Sequence, residues 1–146
     1  MTYLYDVNVL LAAFIPQHPF HSTFKAWYLK KGAHAWATVH LTQAGFLRIS
    51  TNPKVFFQPL SLAQSTELLQ KNMEDPRHQI ILEKRSFPEV VEPFVSILVS
   101  HQQLSDAYLL GICQEHQLKL LTFDLKLKSI PLPEGEEIVE FLVGGI

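Results

Sequence analysis

Short runs rich in β-branched and aromatic residues alternate along this chain with longer apolar segments, and that alternation is the strongest constraint on its fold. Residues 2–5 (TYLY) are of the first kind, and residues 7–15 (VNVLLAAFI) follow with only Asp6 between them. A strand therefore passes into a helix through one tight turn. The pattern recurs near the other end. Residues 106–113 (DAYLLGIC) are apolar nearly all round, as in a helix buried against a sheet, and residues 119–123 (KLLTF) read as a strand ending at Asp124. Strands separated by helices pair in parallel through right-handed crossovers that put helices on both faces. The expected fold is α/β: three layers, α/β/α, around a mainly parallel sheet of four to five strands.

The middle of the chain fills in the elements. Pro16 stops the first helix, and a second is expected over residues 19–31, with Phe20, Phe24, Trp27 and Tyr28 as its buried stripe and Gly32 as its end. That aromatic stripe reads as core or dimer surface rather than a platform for bases. Residues 35–38 suit a strand, and residues 41–50 a helix lying on the sheet, terminated by Asn52-Pro53. Residues 61–72 form a helix with Ser61 as N-cap, and residues 79–82 read as a short strand. Residues 87–99 are helical in pattern but interrupted by Pro93. Ser105 is the expected N-cap of the helix carrying Asp106, and residues 137–142 supply a last strand.

Composition narrows the function classes. A 146-residue chain that is 47% hydrophobic and 18% charged suits one globular domain, residues 1–146, rather than disorder. The single cysteine excludes an intramolecular disulfide and a CxxC zinc cluster, which fits a reducing cytoplasm. The apolar N-terminus lacks a basic leader region and carries Asp6 within it, and no apolar run reaches membrane-spanning length, so no membrane partner is expected. With 12 basic and 14 acidic residues, the overall charge carries no nucleic-acid footprint; any contact with phosphate must be local or through a cation.

Three aspartates stand out against this apolar background. In an open parallel sheet, ligands bind beyond the carboxyl ends of the strands, and Asp6 and Asp124 each fall at such an end. Asp106 opens an otherwise apolar helix. Singly, each has an ordinary structural role as a helix cap, a favourable charge at a helix N-terminus, or a turn former. Jointly they describe a cluster in which desolvation and repulsion oppose ionisation, a penalty that a divalent cation removes. One or two Mg²⁺ or Mn²⁺ ions suit such hard oxygen ligands and leave room for phosphate, which points to phosphodiester hydrolysis.

The segments YLYDVNVLLAAF (residues 3–14), WATVHLTQAGFLRISTNP (36–53), LSDAYLLGIC (104–113) and KLLTFDLKL (119–127) resemble PIN-domain proteins, particularly the VapC-type ribonuclease toxins of bacterial toxin–antitoxin pairs. The stretch between residues 55 and 100 carries none of the resemblance. It implies a PIN-like fold, an RNA substrate, a homodimer, and an antitoxin protein whose tail enters the acidic groove. It assigns Asp6, Asp106 and Asp124 as metal-binding acids, with Asn8 and Thr122 as supporting polar residues. The departure is Gln43, a neutral amide where the family commonly has a glutamate; the site then lacks one negative charge and should hold metal less tightly. Arg48, Lys126 and Lys128 are candidates for the RNA backbone, although a structural ion pair is the favoured role for Arg48.

Other features weigh less. His18 and His21 form an HxxH pair without further zinc ligands and read as helix-start residues, while Cys113 lies in apolar surroundings as an inert core thiol. The apolar Val55-Phe56-Phe57 is a candidate contact for either protein partner. Two rival functions stand beside the ribonuclease. One is a non-catalytic PIN-like module that binds RNA or protein, marked by Gln43. The other is a phosphoacceptor domain of receiver type, which also uses aspartates at strand ends but requires a functional lysine with no clear candidate here.

Overall fold

The computed structural model describes residues 1–132 and 137–143. Its first strand, β1 (Tyr3–Tyr5), turns at Asp6 into α1 (Val7–Phe14), and α2 (His21–Lys31) follows after Pro16. The remaining elements are β2 (Trp36–Thr38), α3 (His40–Ser50), α4 (Leu62–Met73), β3 (His78–Ile80), α5 (Phe87–Val95), α6 (Leu104–His116), β4 (Lys119–Thr122) and β5 (Val139–Phe141). All five strands pair in parallel, in the order β3-β2-β1-β4-β5. Tyr3 is in register with Trp36 on one side and Lys119 on the other.

Alternation of side chains along these strands builds two cores. Leu4, Ala37 and Leu120 face one side, where α5 and α6 cover them with Val90, Phe94, Leu110 and Ile112. Tyr3, Tyr5, Trp36 and Leu121 face the other, against Leu10 of α1, Phe24 of α2, Phe46 of α3 and Leu69 of α4. The three-layer α/β/α reading and the parallel sheet hold. Chain order runs outward from β1 through β2 to β3, then jumps back across to β4 and on to β5, so the topological switch lies between β1 and β4.

The differences from the sequence reading have local causes. Ser105 is not the N-cap of α6: a 3-10 turn at His101–Gln103 runs straight into the helix, Gln103 takes the cap position, and Ser100 caps the turn by accepting from the Gln102 N–H. The helix expected to reach residue 99 stops at Val95, two residues past Pro93. The third strand begins one residue early, at His78, and ends at Ile80. Ser61 caps α4 as expected and adds a capping box with Gln64. In the aromatic stripe, Phe24 is buried and Trp27 and Tyr28 are half-buried, but Phe20 precedes α2 and is exposed.

Helix α6 lies unusually close to α5. A Cβ added at Gly111 would sit 2.4 Å from the Val90 carbonyl oxygen and 2.8 Å from Val90 Cγ1. No rotamer change relieves a clash with backbone, so the two helices would have to separate. Gly111→Ala is expected to destabilise the protein by about 2 kcal/mol, read as a lower urea midpoint at unchanged m-value; an unaltered midpoint would show the contact to be loose.

Candidate active site

The site is built where β1 and β4 end side by side. Asp6 is 8% exposed and serves as the N-cap of α1, its Oδ1 accepting from the Val7 N–H at 2.8 Å. Its second oxygen, Oδ2, accepts from the Thr122 hydroxyl at 2.7 Å. Thr122 Oγ1 in turn accepts from Asn8 Nδ2 at 3.3 Å and from the Asp124 N–H at 3.0 Å, while Asn8 Oδ1 accepts from the Phe123 N–H at 3.1 Å. Four residues that the sequence singled out are thus tied into one network across the two central strands. Thr122 has one donor and two acceptor lone pairs, and all three are engaged.

Asp124 caps the 3-10 turn Leu125–Ser129, its Oδ1 accepting from the Lys126 N–H at 3.0 Å. Asp106 lies in the first turn of α6, and no hydrogen bond reaches its carboxylate among the described residues. Asp106 and Asp124 line an open cleft of about 480 Å³ with Ser100, Gln103, Lys126 and Ser129, while Asp6 is buried beneath the strand ends. The polar segment just before α6, including Ser100 and Gln103, was missed as a cleft wall. Its signal was a run of polar residues directly preceding an apolar helix.

Electrostatics couple the acids. Burial pushes the Asp6 carboxyl above its ordinary value; the Thr122 and Val7 hydrogen bonds oppose the rise, and the charge of Asp124 adds to it. Asp106 is pushed up to about 6, first by burial and then by the charges of Asp6 and Asp124. Among the described residues, no three His, Cys, Asp or Glu side chains are gathered closely enough to hold an ion as they stand. The three carboxylates form a charge-coupled cluster rather than a finished ligand cage. Their donor set nevertheless fits a hard dication: all ligating atoms are carboxylate oxygens, Asp106 is unpartnered among the described residues, and the opposing charges are of one sign.

The other candidates separate. Gln43 Nε2 donates to Thr38 Oγ1 at 2.9 Å, and Thr38 also contacts His78 Nε2 at 2.8 Å, so this amide is tied to the end of β2. Arg48 is exposed in the last turn of α3 and makes no ion pair among the described residues, against the pairing favoured from sequence; the position suits a cation because helix C-termini carry negative charge. Lys126 lines the cleft, whereas the Lys128 ammonium lies 5.1 Å over the Phe141 ring. His21 Nδ1 meets the Ala12 carbonyl at 2.7 Å and His18 Nδ1 accepts from the Phe20 N–H, both helix-start roles. Cys113 is fully buried, and burial pushes its thiol up, as an inert core residue requires.

A family model for the PIN domain matches residues 3–132. Ribonuclease VapC38 of Mycobacterium tuberculosis is 31% identical over 139 residues, covering 95% of this chain and 96% of that protein. Ribonuclease VapC44 of the same organism is also 31% identical over 139 residues, covering 91% and 93%. Among solved structures, a toxin-antitoxin complex from Klebsiella pneumoniae aligns with a TM-score of 0.60 at 17% identity, over 94% of this chain and 95% of that one. VapBC2 from Rickettsia felis, bound to a DNA fragment from their promoter, aligns with a TM-score of 0.59 at 15% identity over 90% and 94%. Both structural likenesses are likenesses of fold.

The raised Asp106 makes a signed prediction. Its folded value of about 6 exceeds the ordinary 3.8, so the native state is penalised once the unfolded chain ionises above 3.8, and the penalty is complete above 6. In EDTA near pH 8, Asp106→Asn is therefore expected to raise stability by about 1 kcal/mol after discounting for solvent screening, and the gain should vanish below about pH 3.8. Thermal unfolding of the two proteins across pH checks this; a variant less stable than wild type at pH 8 would refute the repulsion argument.

Proposed function

The chain belongs to the PIN-domain family, and on that footing we propose that it is a metal-dependent endoribonuclease, the toxin of a type II toxin–antitoxin pair, folded as one PIN-like domain over residues 1–146. The observation that carries this reading is geometric: Thr122 ties the Asp6 carboxylate and the Asp124 backbone together at the β1–β4 switch point, and Asp106 and Asp124 line one cleft. The names of the relatives as ribonucleases support it, and so does the likeness to toxin–antitoxin complexes.

Asp6, Asp106 and Asp124 would hold one or two Mg²⁺ or Mn²⁺ ions. Such an ion supplies a water acidified towards neutral pH and positive charge against the phosphoryl oxygens of an RNA phosphodiester. This chain's own residues supply the positioning. Thr122 and the α1 N-terminus hold both Asp6 oxygens in place, and Asn8 ties the residue before Asp124 to α1. Lys126, which lines the cleft, would meet a backbone phosphate, while the Lys128 ammonium lies over the Phe141 ring. In the wider reading, the protein is cytoplasmic, homodimeric and restrained by an antitoxin. No helix among the described residues is long and apolar enough to cross a membrane.

Gln43 favours a second reading, a non-catalytic PIN-like module. Its amide is engaged with Thr38 instead of supplying a fourth acid to the site. Incubation of purified protein with structured RNA and Mn²⁺ separates the two. The nuclease reading expects cleavage that EDTA abolishes and that Asp6→Asn and Asp124→Asn each reduce at least about 100-fold, with Gln43→Glu tightening Mn²⁺ binding in calorimetry. Equal cleavage by wild type and Asp6→Asn excludes the proposed mechanism. Absence of both cleavage and metal binding establishes the module.

A further inference from the structure

Helix α3 meets the start of α1 at a residue that has no side chain. A Cβ added at Gly45 would lie 2.6 Å from Val7 Cγ2, 3.3 Å from Cγ1 and 3.5 Å from Cβ. All the side-chain carbons of Val7 face this one point, and a β-branched side chain in a helix has one strongly preferred rotamer, so the methyls cannot turn aside without strain. At Gly111 the opposing atom is a backbone carbonyl oxygen of the neighbouring helix; at Gly45 the three nearest atoms all belong to the side chain of Val7.

Val7 is the residue whose N–H donates to Asp6 Oδ1, at 2.8 Å. An N-cap oxygen ordinarily meets the N–H of the second or third helical residue. Here the Val9 and Leu10 N–H groups both bond to the Asp6 backbone carbonyl at 3.0 Å, so that among the described residues the Val7 N–H is the partner left to Oδ1. The rest of Asp6 belongs to the sheet: its own N–H donates to the Leu121 carbonyl at 3.0 Å, and Oδ2 accepts from the Thr122 hydroxyl. One carboxylate oxygen is therefore fixed by β4, and the other by wherever α1 begins.

We propose that Gly45 is a positioning residue for Asp6: by presenting bare backbone to Val7, it seats the first turn of α1 so that the Val7 N–H holds Oδ1. The proposal rests on the nuclease reading, in which the direction of the Asp6 carboxylate matters. A methyl group at position 45 would displace Val7 rather than Asp6, because β1 is paired with β2 on one side and β4 on the other, whereas Val7 is only half-buried. The carboxylate would then keep its Thr122 bond and lose its charge-assisted bond to backbone, leaving it free to turn about the remaining contact. Outer partners that orient an acid count for its hold on an ion almost as the acid itself does.

If Gly45 served packing alone, its loss would lower stability and leave Asp6 where it is. Val7→Ala removes the methyls that Gly45→Ala would strike, so the two substitutions, made singly and together, separate these accounts. In EDTA, exchange of the residue 7 amide proton is followed by NMR, corrected for intrinsic rate and referred to the amides of β4. Gly45→Ala is expected to speed this exchange about tenfold and to move the amide proton upfield as its bond to the carboxylate lengthens. Calorimetry without RNA is expected to show Mn²⁺ bound about tenfold more weakly. Adding Val7→Ala is expected to return both to within about twofold of wild type. A Gly45→Ala protein with a lowered urea midpoint but wild-type amide exchange and Mn²⁺ affinity overturns the proposal, as does a double variant no better than Gly45→Ala. Should Gly45→Ala not fold, Val7→Ala alone decides: without the methyls seated on Gly45 its residue 7 amide is expected to exchange about threefold faster, and an unchanged rate overturns the proposal. Because the amide is read without metal, absence of Mn²⁺ binding in every variant with the amide response intact would sink the nuclease reading and leave the hold of Gly45 on Asp6 standing.

Discussion

The hydrogen bond from Thr122 to Asp6 is the constraint on which the rest of this site depends. It joins the carboxyl ends of the two central strands at the point where chain order reverses, and it does so inside the sheet's buried edge, where water cannot substitute for either partner. Asn8 and the Asp124 N–H attach to the same hydroxyl, so α1, β1, β4 and the turn after β4 converge on a single oxygen. A serine could preserve this chemistry. A valine of the same shape would leave a buried carboxylate oxygen and two donors without partners.

Around that knot the protein tolerates an unfavourable arrangement of charge. Asp6 is held by hydrogen bonds to its ionised form yet is penalised by burial; Asp106 has no such bonds among the described residues and is penalised by burial and by both other acids. An amide in place of the Asp106 carboxylate would remove that repulsion. A positive charge entering the cleft would relieve the same repulsion.

Much of this was legible from the sequence, for physical reasons that differ by residue. Asp6 and Asp124 declared themselves because an acid directly after a β-type run can lie only at a strand end, and the parallel topology follows from the helices between the strands. Asp106 was visible as a lone charge in an apolar helix. The cap of α6 was misread because Ser105 looks right locally, while the preceding 3-10 turn, a non-local consequence of how the chain enters the cleft, moves the boundary to Gln103. Gln43 was recognised as a departure, but its attachment to Thr38 depends on which face of β2 meets α3, and no spacing rule reveals that. Phe20 was assigned to the buried stripe by its period; its stacking on Phe123 joins positions more than a hundred residues apart.

The close seating of Gly111 against the Val90 carbonyl bears on how the cleft can respond to an occupant. With backbone pressed against side-chain-free backbone, α5 and α6 cannot slide or roll past one another without opening a void, so the helix that presents Asp106 behaves as a fixed wall. Adjustment is left to the rotamer of Asp106 itself and to the short turns on either side of the opening, His101–Gln103 and Leu125–Ser129. Fit to a guest is thus achieved by fingertips, with the palm held still.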